Sequence, residues 1–213
     1  MSLAATSLSG CQTQSIGNGN DEWKKAPPLK MAAKSFDPKS DGFVSHGNYL
    51  AVQPPGSPFR EVVSELEKRV SGKLQSDSSA QVTVISPAEY EILKTKINMK
   101  EIEDIALWLE IQSADLKPVC VGQGLEKVDG LNEQSYFVVL KSDTLTRIRR
   151  EISSLFIERG GDIDVFMPDQ YQPSLPLGFT MAETSASQAA AQSNVLVSKD
   201  QNTCRFPLSS SVQ

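Results

Sequence analysis

The sequence predicts an α+β domain with two lobes. Three observations lead there: strands alternate with helices along the chain, they do so in two similar halves, and the helices are amphipathic rather than apolar all round. With 213 residues, 39% of them hydrophobic and 22% charged, the chain has material for one main domain with tails. The formal net charge of −5 is spread without a long acidic run. No basic stripe suggests a duplex nucleic-acid partner. No segment approaches the roughly 20 apolar residues of a membrane-spanning helix.

The first half opens on a short strand, Asn48-Tyr49-Leu50-Ala51-Val52, stopped by Pro54-Pro55-Gly56. Ser57-Pro58 then suits a helix start, with Phe59, Val62, Val63, Leu66 and Val70 at helical spacing. Val82-Thr83-Val84-Ile85 reads as a β-branched strand, and Ser86-Pro87 begins a helix through Tyr90 and Leu93. A further helix runs from about Lys100 to Gln112, with Ile102, Ile105, Ala106 and Leu109 on one side. Trp108 within it reads as core or rim.

The second half repeats the alphabet. Pro118-Val119-Cys120-Val121 reads as a strand ended by Gly122-Gln123-Gly124, a glycine pair too short for a dinucleotide fingerprint. Tyr136-Phe137-Val138-Val139-Leu140 is the clearest strand of the chain. Thr144 to Glu158 forms a helix with Leu145, Ile148, Ile152, Leu155 and Phe156 facing inward and Arg147, Arg149 and Arg150 outward, stopped by Gly160-Gly161. Leu175 to Phe179 is the last strand, followed by an Ala/Ser/Gln-rich excursion and the tail Val195 to Cys204.

Residues 1–46 read as a tether, 47–206 as the domain and 207–213 as a C-terminal tail, although Trp23, Leu29, Met31 and Phe36 could pin parts of the lead-in. Leu8-Ser9-Gly10-Cys11 resembles the cleavage site of a bacterial lipoprotein signal, with Cys11 as the lipidated residue. The basic n-region and longer apolar core of a complete signal do not precede it. On this reading the protein sits in the bacterial cell envelope and meets the membrane only through a lipid on Cys11; a cytoplasmic location is the alternative. Three cysteines without a Cys-x-x-Cys pair, and His46 as the single histidine, give no metal framework, and nothing calls for a cofactor. If Cys11 is lipidated, Cys120 and Cys204 remain as a pair that could bridge, which suits an exported protein and requires their Cα atoms to lie within about 7 Å.

Two segments carry a resemblance. The first is Ala80-Gln81-Val82-Thr83-Val84-Ile85-Ser86-Pro87-Ala88-Glu89-Tyr90, the second Tyr171-Gln172-Pro173-Ser174-Leu175-Pro176-Leu177-Gly178-Phe179-Thr180. Together they resemble the paired His-x-Thr/Ser motifs of the two-histidine (2H) phosphoesterases, and most closely the Swiss Army Knife RNA-repair-like branch. There the first motif runs on into Ser/Thr-Pro-x-Glu-Tyr/Phe and the second reads Pro-His-x-Thr-x-Gly-Phe-Thr. The resemblance implies a bilobal fold with antiparallel sheets around a central cleft and helices outside. It also implies that the strands holding Thr83 and Ser174 lie side by side or face each other across that cleft.

Position by position, Gln81 stands at the first His and Thr83 keeps the first hydroxyl; Ser174 stands at the second His and Pro176 at the second Thr/Ser. Opening a cyclic phosphodiester needs a base and an acid, roles that imidazole fills because it titrates near neutrality. Glutamine does not titrate, serine is a poor base without a partner, and proline offers neither a side-chain donor nor an N–H. Gln81, Thr83 and Ser174 can still donate hydrogen bonds to a phosphorylated or nucleotide-like small ligand. Read without the resemblance, Thr83 is a good strand residue, Ser174 a turn residue, Gln81 an exposed strand start and His46 a loop residue.

Three functions compete: a degenerate phosphoesterase acting as a ligand-binding or scaffold protein, an active phosphodiesterase of RNA ends or cyclic phosphates with replaced catalytic groups, and a structural envelope protein whose cleft is filled. The absence of a titratable pair at the motif positions favours the first over the second.

Overall fold

The computed structural model describes residues 24–32, 43–45, 47–54, 59–70, 72–75, 81–128, 131–180 and 204–211. Cys11, His46 and the Ala/Ser/Gln-rich excursion lie outside them. Among the described residues, eight strands and four α-helices follow one another as β1 (Leu29–Ala32), β2 (Phe43–Ser45), β3 (Leu50–Val52), α1 (Phe59–Val70), β4 (Val82–Ile85), α2 (Pro87–Leu93), α3 (Met99–Trp108), β5 (Lys117–Val128), β6 (Leu131–Lys141), α4 (Asp143–Glu158), β7 (Ser174–Thr180) and β8 (Cys204–Ser211). Short 3-10 turns occupy Ile111–Ser113 and Pro168–Gln170.

The helices begin where their caps dictate. Ser86 accepts from the Glu89 amide while the Glu89 carboxylate accepts from the Ser86 amide, with Pro87 at the first helical position of α2. Asn98 and Glu101 make the same reciprocal pair at α3. For α4, Ser142 accepts from the Leu145 amide at 3.1 Å. Asp115 accepts from the Thr144 amide at 3.1 Å and the Ser142 hydroxyl at 3.2 Å. Burial pushes the Asp115 carboxyl up, but the Thr144 amide, Lys117 and the nearby hydroxyls outweigh it and hold the group at about 2.

Two sheets result. The larger runs β1-β8-β5-β6-β7, and the smaller β2-β3-β4. Pairing is antiparallel except for β1 beside β8, which is parallel. One continuous core joins them: Leu50, Val82, Val84 and Ile85 from the small sheet, Val121, Val138, Leu140, Leu175 and Leu177 from the large one, and the inward stripes of all four helices. The molecule is thus an α+β fold with two sheets sharing one helix-covered core.

Three sequence expectations shift. The lead-in contributes β1, whose Leu29 and Met31 are buried. Arg69 of α1 donates to the Pro27 and Pro28 carbonyls, and the Lys30 amide donates to Glu65. A four-residue alternation is too short to stand out from its polar surroundings, and its partner strand supplies the missing half of the signal. The tail likewise extends the sheet, since β8 continues through residues 207–211 beside β5 and β1. Its serines carry no apolar pattern, so pairing rather than burial defines it.

Gly122-Gln123-Gly124 does not end β5, which pairs with β6 from Lys117 to Val128. The glycines make room instead. A Cβ on Gly122 would meet the Phe137 ring at 2.4 Å, and one on Gly124 the Ser135 hydroxyl at 2.7 Å. On that face, opposite the main core, Cys120, Phe137, Val139 and Cys204 form a second small cluster. Cys120 and Cys204 are joined there as a disulfide with Cα atoms 5.8 Å apart. The bridge spans 84 residues of sequence, so in the chain-entropy account it removes roughly 4.5 kcal/mol of freedom from the unfolded chain.

Candidate functional site

β4 is an edge strand of the small sheet and β7 an edge strand of the large one, and the two lie against each other. The two sequence segments singled out for chemistry are therefore brought together. Gln81 immediately precedes β4 and Thr83 lies within it; both are half-buried. Two residues apart, they share a strand face, while Val82 and Val84 are fully buried on the other. Ser174 is half-buried at the start of β7 and Pro176 is exposed, with Leu175 and Leu177 buried between and beyond them.

The orientation of β7 follows from its bonds. The Leu140 amide donates to the Pro173 carbonyl at 2.8 Å, and the Gln172 amide side chain donates to the Leu140 carbonyl at 2.5 Å. Backbone groups of an antiparallel strand alternate sides, so Ser174 and Pro176 turn theirs to the outer edge. The missing N–H of Pro176 costs no ladder bond there. Opposite Ser174 on β6 is Val139, and next in line on β5 is Cys120, so Ser174 shares its sheet face with the disulfide cluster. Further along, Gln75 and Phe179 exchange two backbone hydrogen bonds of 2.9 Å. Gly178 permits this approach: its φ is 141° and a Cβ would lie 2.6 Å from the Gln75 carbonyl oxygen.

The junction of β4 and β7 is built around a residue that the sequence pattern assigned to solvent. Arg149 of α4 is only 2% exposed. Its Nη1 donates to the Val84 carbonyl at 2.6 Å and its Nη2 to Glu89 Oε1 at 2.7 Å. The guanidinium lies between two aromatic rings, 4.5 Å from the Phe166 centroid and 4.4 Å from that of Tyr171. Tyr171 in turn donates its hydroxyl to the Thr83 carbonyl at 2.7 Å. Two consecutive carbonyls of β4 are thus held, one from α4 and one from the segment that leads into Ser174.

Electrostatics follows the same connections. Burial pushes the Glu89 carboxyl up, but the Arg149 guanidinium and the Ser86 donors more than offset it, so the group lies below its ordinary value. Burial raises the Tyr171 phenol well above its usual range, which keeps it a neutral donor. Arg147 and Arg150 are exposed, as their helix face predicts, and Arg150 pairs with Asp169. The outward assignment of Arg149 is corrected. Leu145, Arg149, Ile152 and Phe156 follow the spacing of a single apolar stripe, and that spacing was the available clue. Trp108 is also corrected: at 72% exposure it belongs to neither core nor rim. Among the described residues no cluster of His, Cys, Asp or Glu could hold a metal, and no helix is long and apolar enough to cross a membrane.

Comparison with curated proteins and with solved structures gives no match. Comparison with family models gives one, described as Swiss Army Knife, 2H phosphoesterase domain, over residues 48–194. That span holds both β4 and β7 and stops short of β1 and β8. With more than half of its length matched and the two motif strands in contact, the chain belongs to the Swiss Army Knife family of 2H phosphoesterase domains.

Proposed function

We propose that this domain is a catalytically degenerate phosphoesterase that binds a phosphorylated or nucleotide-like small molecule between β4 and β7 without turning it over. One observation carries the reading: the adjoining strands present Gln81, Thr83, Ser174 and Pro176 where the family resemblance expects two histidines and two hydroxyls. An amide and two hydroxyls recognise phosphate or ribose oxygens by hydrogen bonding. None of them titrates near neutrality, so the acid–base work of opening a cyclic phosphodiester has no carrier at these positions. An active enzyme with relocated catalytic groups would need another titratable pair beside these strands. The titratable side chains identified there, Glu89, Arg149 and Tyr171, are committed to one another and to main-chain carbonyls.

Titration of 2′,3′-cyclic AMP into isotope-labelled protein tests the proposal. Amide shifts are expected at residues 81–83 and at 174, 175 and 177 while the nucleotide stays intact. A spectrum unmoved at saturating nucleotide would sink it.

The same reading places the protein outside the reducing cytoplasm, because the buried Cys120–Cys204 bridge is the kind that persists in oxidising compartments. With Leu8-Ser9-Gly10 before Cys11, the proposal extends to a lipoprotein of the bacterial envelope. Mass spectrometry of the protein from a bacterial host should find Cys11 as a diacylated N-terminus. An unprocessed residue 11 would limit the proposal to the ligand site.

A further inference from the structure

Arg149 is a buried cation on a helix outside both motifs, and it is not among the proposed ligand contacts. Burying a guanidinium is costly unless its partners are well placed. This one has a carboxylate, a main-chain carbonyl and a ring on either face. Those partners come from α2 (Glu89), β4 (Val84), the segment after α4 (Phe166) and the approach to β7 (Tyr171). The Tyr171 hydroxyl then closes the circuit on the Thr83 carbonyl. Every one of these groups lies within three residues of a motif position or on the helix that follows the first motif, apart from Phe166.

From this arrangement we infer that Arg149 and Tyr171 are positioning residues, which set the placement of β4 against β7 and so the spacing between the ligand donors of the two motifs. Backbone ladders cannot do this, since β4 and β7 belong to different sheets. Among the described hydrogen bonds, the Tyr171 hydroxyl to the Thr83 carbonyl links β4 to the segment that leads into β7. Glu89 has a double duty that accounts for its place in the Ser-Pro-x-Glu-Tyr run. One carboxylate oxygen closes the cap of α2, and the other fixes the guanidinium. Displacing one strand by a fraction of an ångström would spoil convergence on a small anion while leaving the core packed. The inference depends on the proposed ligand site for its functional consequence, but not for its structural content.

The test uses Tyr171→Phe, which keeps the ring over Arg149 and deletes only the bond to Thr83, together with Arg149→Lys. Arg159→Met is the control. It removes a bidentate pair with Glu101 at the C-terminal cap of α4, about 15 Å from Arg149 along the helix axis, and costs stability without touching β4. Two readouts are taken on folded protein: NOEs from the ring of residue 171 to the β4 backbone, and affinity for 2′,3′-cyclic AMP. Tyr171→Phe is expected to weaken those NOEs and lower affinity roughly five- to tenfold, the effect of one lost hydrogen bond. Arg149→Lys should do at least as much, and Arg159→Met should leave both readouts as in the parent. Unchanged NOEs and affinity in Tyr171→Phe would overturn the inference, and so would an equal loss in Arg159→Met. If the parent binds no nucleotide, the proposed function fails, and the NOEs alone still decide whether these residues set the strands.

Discussion

Purified protein is expected to leave 2′,3′-cyclic AMP and related cyclic phosphodiesters unopened, at rates no higher than the uncatalysed background. General acid and general base groups each contribute about 10² to 10⁴-fold, and on the proposed reading both are missing. Gln81 and Thr83 can orient a phosphate, but orientation without proton transfer leaves the leaving oxygen unprotonated and the attacking water unactivated. Gln81→His alone should stay near background, because acid and base act as a unit and restoring one leaves the other step unassisted.

The triple substitution Gln81→His, Ser174→His and Pro176→Thr rebuilds the full pattern, and weak hydrolysis should return. Two features favour that outcome. Residue 174 is fixed through Pro173 and Gln172 to β6, and the backbone of residue 176 faces away from β6, so a threonine there adds an N–H without breaking the β6–β7 ladder. Hydrolysis by the unmodified protein is the result that would sink the degenerate reading, since it would require catalytic groups other than those at the motif positions.

Much of the fold was legible because periodicity and caps agreed. Ser86-Pro87 announces α2, the Leu145–Ile148–Ile152 spacing announces α4, and Val82–Ile85 and the centre of β6 read as strands from their β-branched residues. What escaped was set by partners distant in sequence. β1 is a strand because β8 lies beside it 179 positions later, and the glycines of β5 continue a strand because the Phe137 ring and the Ser135 hydroxyl occupy the places of their missing side chains. The site divided in the same way. The strands that carry the two motifs could be placed by pattern, whereas Arg149, which holds the Val84 carbonyl beside them, is a charge, and a charge on an amphipathic helix is ordinarily assigned to water. Only the place of Arg149 on the Leu145–Ile152–Phe156 stripe contradicted that assignment.

Arg149→Met should therefore cost about 3 kcal/mol of stability, well beyond what loss of a surface charge would cause. The methionine fills much of the volume between Phe166 and Tyr171, so the deficit is not mainly a cavity. It arises because Glu89 and the Val84 carbonyl lose their donor in a poorly solvated place. Adding Glu89→Gln to Arg149→Met should be less damaging than the two single changes summed, because the second change removes the stranded charge that the first creates. Denaturant unfolding of the four proteins measures that coupling, and strict additivity would show that the pair does not interact as drawn. The pH dependence gives an independent reading. The folded-state value of Glu89 is depressed, so its contribution is fully present above the ordinary carboxylate value of about 4.5 and is lost as pH falls through the lower folded value. In Arg149→Met that acid-side loss should shrink, because Glu89 no longer gains from being ionised in the folded protein. An unchanged acid limb in the variant would mean that other carboxylates, Asp115 first among them, set the acid sensitivity of the fold.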